Sequence, residues 1–155
     1  MKSVLISIQP KWCDLIASGK KTVEVRKTKP KLDEPFKVYI YCTLKGDDVF
    51  IVSDKAHKFN GKVIGEFMCK CMTSLKADNL VQAYYNNTQA TCLTDAEIMQ
   101  YANGGKLYYW HISDLVIYAK PRELSEFSKY GFSHHVWLKR PPQSWCYVES
   151  EVQGK

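Results

Sequence analysis

The run Gly19-Lys20-Lys21-Thr22-Val23-Glu24-Val25-Arg26 constrains this chain more than any other stretch of it. Val23 and Val25 alternate with Thr22, Glu24 and Arg26, the period-two pattern of a strand with one buried face. Immediately upstream, residues 10–18 read as a short amphipathic helix, opened by Pro10 and stopped at Gly19. Helix, glycine turn and charged strand thus follow one another without a spacer. A carboxylate and a guanidinium two residues apart on one strand face are close enough to pair. They can equally face a ligand across a polar cleft. Strict alternation over 21–27 puts Lys21 on the face opposite Glu24, unless the Gly19-Lys20 turn redirects it.

The rest of the pattern is mostly strands: 3–9, 36–44, a short one near 49–53, 61–73, the aromatic stretch 106–119, and 144–148. In 36–44, Phe36, Val38, Ile40 and Cys42 share one face and Tyr39, Tyr41 and Thr43 the other. In 61–73, Val63, Gly65, Phe67, Cys69 and Cys71 lie opposite Ile64, Glu66, Met68 and Lys70. A helix is expected at 94–101, where Thr94 caps, Glu97 completes a capping box and Gly104-Gly105 stops the chain. A short helix near 79–85 and a helical turn at 121–127 complete the reading. Many short strands with few helices argue for the α+β class and a barrel or strongly curved sheet rather than a doubly wound fold. At 155 residues and 45% hydrophobic, the chain buries one core. It reads as a single domain over 1–150 with a tail at 151–155.

Charge narrows the function classes. Residues 1–31 carry eight Lys or Arg and two acids, whereas residues 32–155 carry fourteen of each, so the net +6 sits around the motif. That distribution suits an anionic partner, with nucleic acid first and phosphorylated small molecules second; the plain alternative is a lysine-rich solvated surface. No apolar run is long enough to span a bilayer, and a strand starting within three residues leaves no secretory leader. Cytoplasmic residence and reduced thiols for the six cysteines follow as expectations. Cys69-x-Cys71 and His134-His135 with Cys146 lack zinc-site spacing, and there is no P-loop, dinucleotide-binding glycine run or nucleophile elbow. Neither a metal nor a cofactor is expected.

Glu66 is the second residue of note, because it interrupts the apolar strand Val63-Ile64-Gly65-Glu66-Phe67-Met68. An acid there must line a cleft, be paired or be protonated. With Lys21, Glu24 and Arg26 it completes a Lys/Glu/Arg/Glu constellation; the structural alternative is an ion pair tying strands together. Lys20, Lys21 and Arg26 are the cations placed to meet a nucleic acid. Trp12 and Tyr41, near the motif in the chain, are the aromatics placed to meet a ligand. The many aromatics of the second half are more often core.

Gly19, Lys21, Glu24 and Arg26 match Gly-x-Lys-x-x-Glu-x-Arg without a gap, and the preceding strand Val4-Leu5-Ile6-Ser7-Ile8 and the Leu15-Ile16 helix fall in order before it. This arrangement resembles the ASCH domain, a branch of the PUA-like superfamily, in a small bacterial or phage-type form. Residues 38–43 and 61–67 look like the next strands of that family. The resemblance implies a PUA-like β-barrel, mixed and mostly antiparallel, with a few short flanking helices. It also implies an RNA, nucleoside or nucleotide partner and no membrane, and it says nothing of the oligomeric state. Some small bacterial ASCH proteins deacetylate N4-acetylcytidine with a lysine base, a threonine nucleophile and a glutamate from a later strand. Lys21 matches the lysine and Glu66 the glutamate, while Glu24 stands where the threonine would be, and Thr22 is the nearest hydroxyl. The alternative function is therefore a hydrolase acting on an acylated nucleoside or on RNA. In it Lys21 is base or electrostatic anchor, Glu24 and Glu66 carry protons and Arg26 holds an oxyanion or phosphate.

Overall fold

Among the described residues, alternating apolar residues make six strands, and three short helices pack beside them. The computed structural model describes residues 1–44, 59–76 and 88–150. The elements in chain order are β1 (Lys2–Ile8), α1 (Pro10–Ala17), β2 (Val23–Arg26), β3 (Phe36–Cys42), β4 (Lys62–Lys76), α2 (Thr88–Thr91), α3 (Asp95–Ala102), β5 (Lys106–Arg122) and β6 (Trp145–Glu149). A 3-10 turn at Leu124–Glu126 stands where a helical turn was expected. The expected strand near 49–53, the helix near 79–85 and the tail at 151–155 lie outside the described residues.

The strands form one sheet in the order β2-β5-β4-β3-β1-β6. β1 and β3 run parallel, and every other neighbouring pair is antiparallel. The class is thus the α+β expected, with a mixed sheet and few helices, but the barrel is corrected. The ladder has two ends, β2 and β6, and is not closed. Beyond β2 the chain passes through Pro30 and Pro35, which have no N–H to donate to a ladder. Side chains bridge the gap instead. Trp145 Nε1 donates to Thr28 Oγ1 at 2.9 Å, and the Lys31 amide donates to the Tyr147 hydroxyl at 2.7 Å.

β3 divides as its sequence indicates. Phe36, Val38, Ile40 and Cys42 join the principal core with Cys13 and Ile16 of α1, and Tyr39 and Tyr41 join a second cluster with Phe127 and Leu138. β4 does not keep strict alternation. Val63 packs in the second cluster while its neighbour Ile64 and Phe67 both pack in the first. Register shifts at three places along the β4–β5 ladder account for this, since each irregularity breaks the alternation of faces. The same irregularity separates Cys69, which is buried, from Cys71, which is exposed. At Gly65 the strands approach so closely that a Cβ would overlap the Val116 carbonyl oxygen.

α3 supplies the third core. Its Ile98 and Ala102 pack on Val23 and Val25 of β2, so the motif strand is covered on its apolar face. Thr94 Oγ1 accepts from the Glu97 amide at 3.1 Å and the Glu97 carboxylate accepts back from the Thr94 amide, which is the expected capping box. The stop comes one residue earlier than the glycine pair, at Asn103 in a left-handed conformation. Among the described residues no helix is long and apolar enough to cross a membrane.

Candidate functional site

The turn after α1 places the first site residue. Gly19 adopts φ +79°, a conformation that glycine takes at little steric cost. The chain then folds back on the helix, with the Lys21 amide donating to the Leu15 carbonyl at 2.9 Å. Lys21 therefore belongs to the turn, and β2 begins only at Val23. The alternation that would separate Lys21 from Glu24 does not apply, and their charged ends stand 3.8 Å apart.

Lys21 is 2% exposed and Glu24 6%. Lys21 Nζ donates to the Thr91 carbonyl at 2.6 Å and lies 5.0 Å from the centre of the Trp12 ring. Burial pushes the Lys21 ammonium below its ordinary value, and the nearby Glu24 charge offsets part of that. Arg26 is fully engaged: Nε donates to Glu24 Oε1 at 3.1 Å, Nη1 to Ser144 Oγ at 3.2 Å and Nη2 to the Ser7 carbonyl at 2.6 Å. Glu24 is thus hydrogen-bonded through Oε1, while Oε2 faces the Lys21 ammonium at 3.8 Å. Oε2 is buried and accepts no hydrogen bond.

These residues line a cleft of about 690 Å³, well within the size range of sites that enclose small molecules. Trp12 and Ser7 line it, together with Thr43 just beyond β3, whose hydroxyl is likewise buried without a partner. α3 contributes Glu97, Gln100 and Tyr101, and Gln143 comes from the segment before β6. Burial raises the Tyr101 phenol, so it is protonated at neutral pH. The cleft combines an open carboxylate oxygen, buried cationic groups, two aromatic rings and neutral amide side chains. That chemistry suits a flat, polar, hydrogen-bonding ligand rather than an aliphatic one.

The other sequence candidates lie elsewhere. Glu66 does not line this cleft; its Oε1 pairs with Lys37 at 3.1 Å and its Oε2 accepts from the Tyr118 hydroxyl at 2.6 Å. Burial, then the bond to Glu66, raises the Tyr118 phenol. Tyr41 is buried in the second cluster, and Lys20 and Thr22 are exposed outside the cleft. Among the described residues no three His, Cys, Asp or Glu side chains are grouped to hold a metal.

Sequence reasoning missed the wall made by α3. Glu97, Gln100 and Tyr101 have the i, i+3, i+4 spacing of one helix face, which was readable. That this face looks onto β2 depends on the packing of Ile98 and Ala102, which no local pattern states. Thr43 and Gln143 left no signal at all.

The model of the ASCH domain matches residues 6–130. No curated protein matches the chain by sequence. Among solved structures, the ASCH protein of Zymomonas mobilis is similar, with 21% identity and a TM-score of 0.67 over 95% of this chain and 87% of that one. Two variants of it are comparably similar. A tyrosine-to-phenylalanine form has a TM-score of 0.68 at 21% identity, over 96% of this chain and 91% of that one. A serine-to-alanine form has 0.67 at 20%, over 95% and 88%. At this identity the likeness concerns the fold.

Proposed function

We propose that this chain, which belongs to the ASCH domain family, binds RNA by taking one nucleotide unit into the Lys21–Glu24–Arg26 cleft. The observation that carries the reading is Glu24 Oε2, a buried carboxylate oxygen on the wall of the cleft that has Lys21 Nζ at 3.8 Å but accepts no hydrogen bond. An unsatisfied buried acceptor costs stability, and a ligand N–H removes that cost. A nucleobase edge supplies such a donor, and its face matches the Trp12 and Tyr101 rings. Lys21 faces Glu24 at 3.8 Å and Arg26 fixes its orientation. In this reading Arg26 holds the site together rather than gripping a phosphate.

Binding of a labelled single-stranded RNA tests it. Affinity is expected to weaken as salt rises, through release of counterions, and to fall in Trp12→Ala by about 1–3 kcal/mol for one stacked base. Absent or salt-insensitive binding counts against the reading.

One observation favours hydrolysis as a second reading: Lys21, pushed toward its neutral form, sits beside the open oxygen of Glu24. Either group then takes a proton from a water attacking an acylated nucleoside or an RNA phosphate. Thr22 is outside the cleft, Ser7 Oγ donates to the Pro142 carbonyl at 2.6 Å and the Thr43 hydroxyl has no base bonded to it, so water is the better nucleophile. Incubation with N4-acetylcytidine and with labelled RNA decides between binder and enzyme. Turnover that Lys21→Met abolishes and Glu66→Gln leaves intact supports hydrolysis, and unchanged substrates leave the binding reading alone.

A further inference from the structure

We propose that the loop 129–140, outside the cleft, is a second contact surface that binds single-stranded RNA by stacking and charge. The inference takes from the cleft reading only that the ligand is RNA. The loop is pinned at its base: Phe127 and Leu138 are buried, the Leu138 amide donates to the Phe127 carbonyl at 2.8 Å, and the Lys129 amide donates to the Val136 carbonyl at 2.8 Å. What it presents is aromatic. Phe132 is 54% exposed, Trp137 50% and Tyr130 41%, and the His135 ring stacks on Trp137 at 4.8 Å and 12°. Large apolar side chains grouped on a fixed loop do nothing for the core beneath them, and such groups mark contact surfaces.

Its charge says what kind of partner fits. Residues 127–148 contain Lys129, Lys139, Arg140 and two histidines and not one Asp or Glu. The ion pairs among the described residues use none of these three cations. The near-zero net charge of residues 32–155 conceals this local excess. A carboxylate from beyond the segment, Glu149, reaches the loop, where its Oε1 accepts from the Gly131 amide at 3.4 Å and its Oε2 pairs with the N-terminal ammonium. Free cations interleaved with exposed ring faces are the chemistry of single-stranded nucleic acid, which offers phosphates and unstacked bases together. A duplex offers no free base faces, and an apolar protein surface has no use for unpaired cations.

The loop also runs into the cleft. Arg140 is three residues from Gln143 on the cleft wall. The chain on either side of Gln143 is tied to β1 by Ser7 Oγ donating to the Pro142 carbonyl at 2.6 Å and the Ser7 amide donating to the Ser144 carbonyl at 2.9 Å. A strand lying on the loop is therefore led toward the nucleotide in the cleft.

The test uses two probes: a labelled single-stranded RNA of about twelve nucleotides, within the span of a small domain, and a free ribonucleoside monophosphate. Trp137→Ala and Phe132→Ala are each expected to weaken the oligonucleotide roughly tenfold. Lys139→Ala with Arg140→Ala is expected to lower the slope of log affinity against log salt by roughly one to two. All three variants keep the wild-type melting temperature and the wild-type affinity for the monophosphate. Loop variants that bind the oligonucleotide as wild type does would overturn the proposal. So would a wild type that binds no RNA but self-associates through Trp137. If the monophosphate fails to bind and Trp12→Ala changes nothing, while the loop variants still weaken the oligonucleotide, the cleft reading fails and this one stands.

Discussion

Arg26 Nη2 donates to the carbonyl oxygen of Ser7 at 2.6 Å, tying the last residue of β2 to β1 across the open side of the sheet. The same guanidinium reaches Glu24 and Ser144. One side chain therefore closes with hydrogen bonds a gap that the backbone leaves open. It also fixes which oxygen of Glu24 faces the cleft.

Removing that tie is expected to be expensive. Arg26→Ala strands the buried Glu24 carboxylate and is expected to cost about 3–5 kcal/mol, the range for breaking one partner out of a buried pair. Arg26→Lys restores the charge but not three directed bonds, and is expected to rescue little. Urea unfolding of the two variants measures this, and a loss below about 1 kcal/mol would mean that the pair behaves as an exposed one.

Lys21 makes stability depend on alkaline pH. Its folded value lies below the ordinary 10.5, so in the window that ends there the unfolded chain binds more protons at this site than the folded one. Stability then rises with pH across that window, as the cost of a buried ammonium is relieved. The unfolding free energy of wild type relative to Lys21→Met is expected to climb as pH approaches 10.5 from neutrality. A flat difference in urea titrations across that range contradicts it.

How much of this was legible shows in particular residues. The two faces of β3 and the Thr94–Glu97 box were readable, because period two and a four-residue cap are local. The faces of β4 were not, since its register shifts depend on β5, more than thirty residues away in the chain. Strict alternation fails for Lys21 for a local reason, the turn extending past it before the strand starts, which is the redirection the glycine turn allowed. Glu66 stood out correctly as an acid that needs a partner. That the partners are Lys37 and Tyr118, not the motif, follows from strand pairing alone. Closure of the sheet is equally non-local, and the family pattern carries strand order but not where the ladder ends.

Gly65 and Gly19 separate close approach from backbone conformation. A side chain at Gly65 meets the Val116 carbonyl, and backbone atoms cannot rotate away, so Gly65→Ala is expected to cost at the upper end of about 1–3 kcal/mol. Gly19 has open space around it but a positive φ, so Gly19→Ala is expected to cost about 1–2 kcal/mol. Chemical denaturation ranks the two, and an equal or reversed order contradicts the packing described at the β4–β5 crossing.

Thr94 links helix stability to the cleft. Thr94→Ala removes the cap of α3 and is expected to cost about 1 kcal/mol. Because α3 carries Gln100 and Tyr101 into the cleft wall, RNA affinity is expected to fall along with it. Thr94→Ser keeps the hydroxyl and restores both. Destabilisation with RNA affinity intact would remove α3 from the binding surface.

Glu24→Gln is the most direct measurement, because it changes one atom at the open position. Arg26 Nε requires an acceptor, so it holds the amide oxygen and leaves the amide nitrogen facing the cleft, a donor where an acceptor stood. Titration of a short single-stranded RNA into wild type and Glu24→Gln is expected to show at least a tenfold loss of affinity, about 1.4 kcal/mol, with a lowered melting temperature because Lys21 and Arg26 lose their buried counter-charge. Equal affinity in the two proteins, with the variant folded, would contradict the claim that Glu24 receives the ligand.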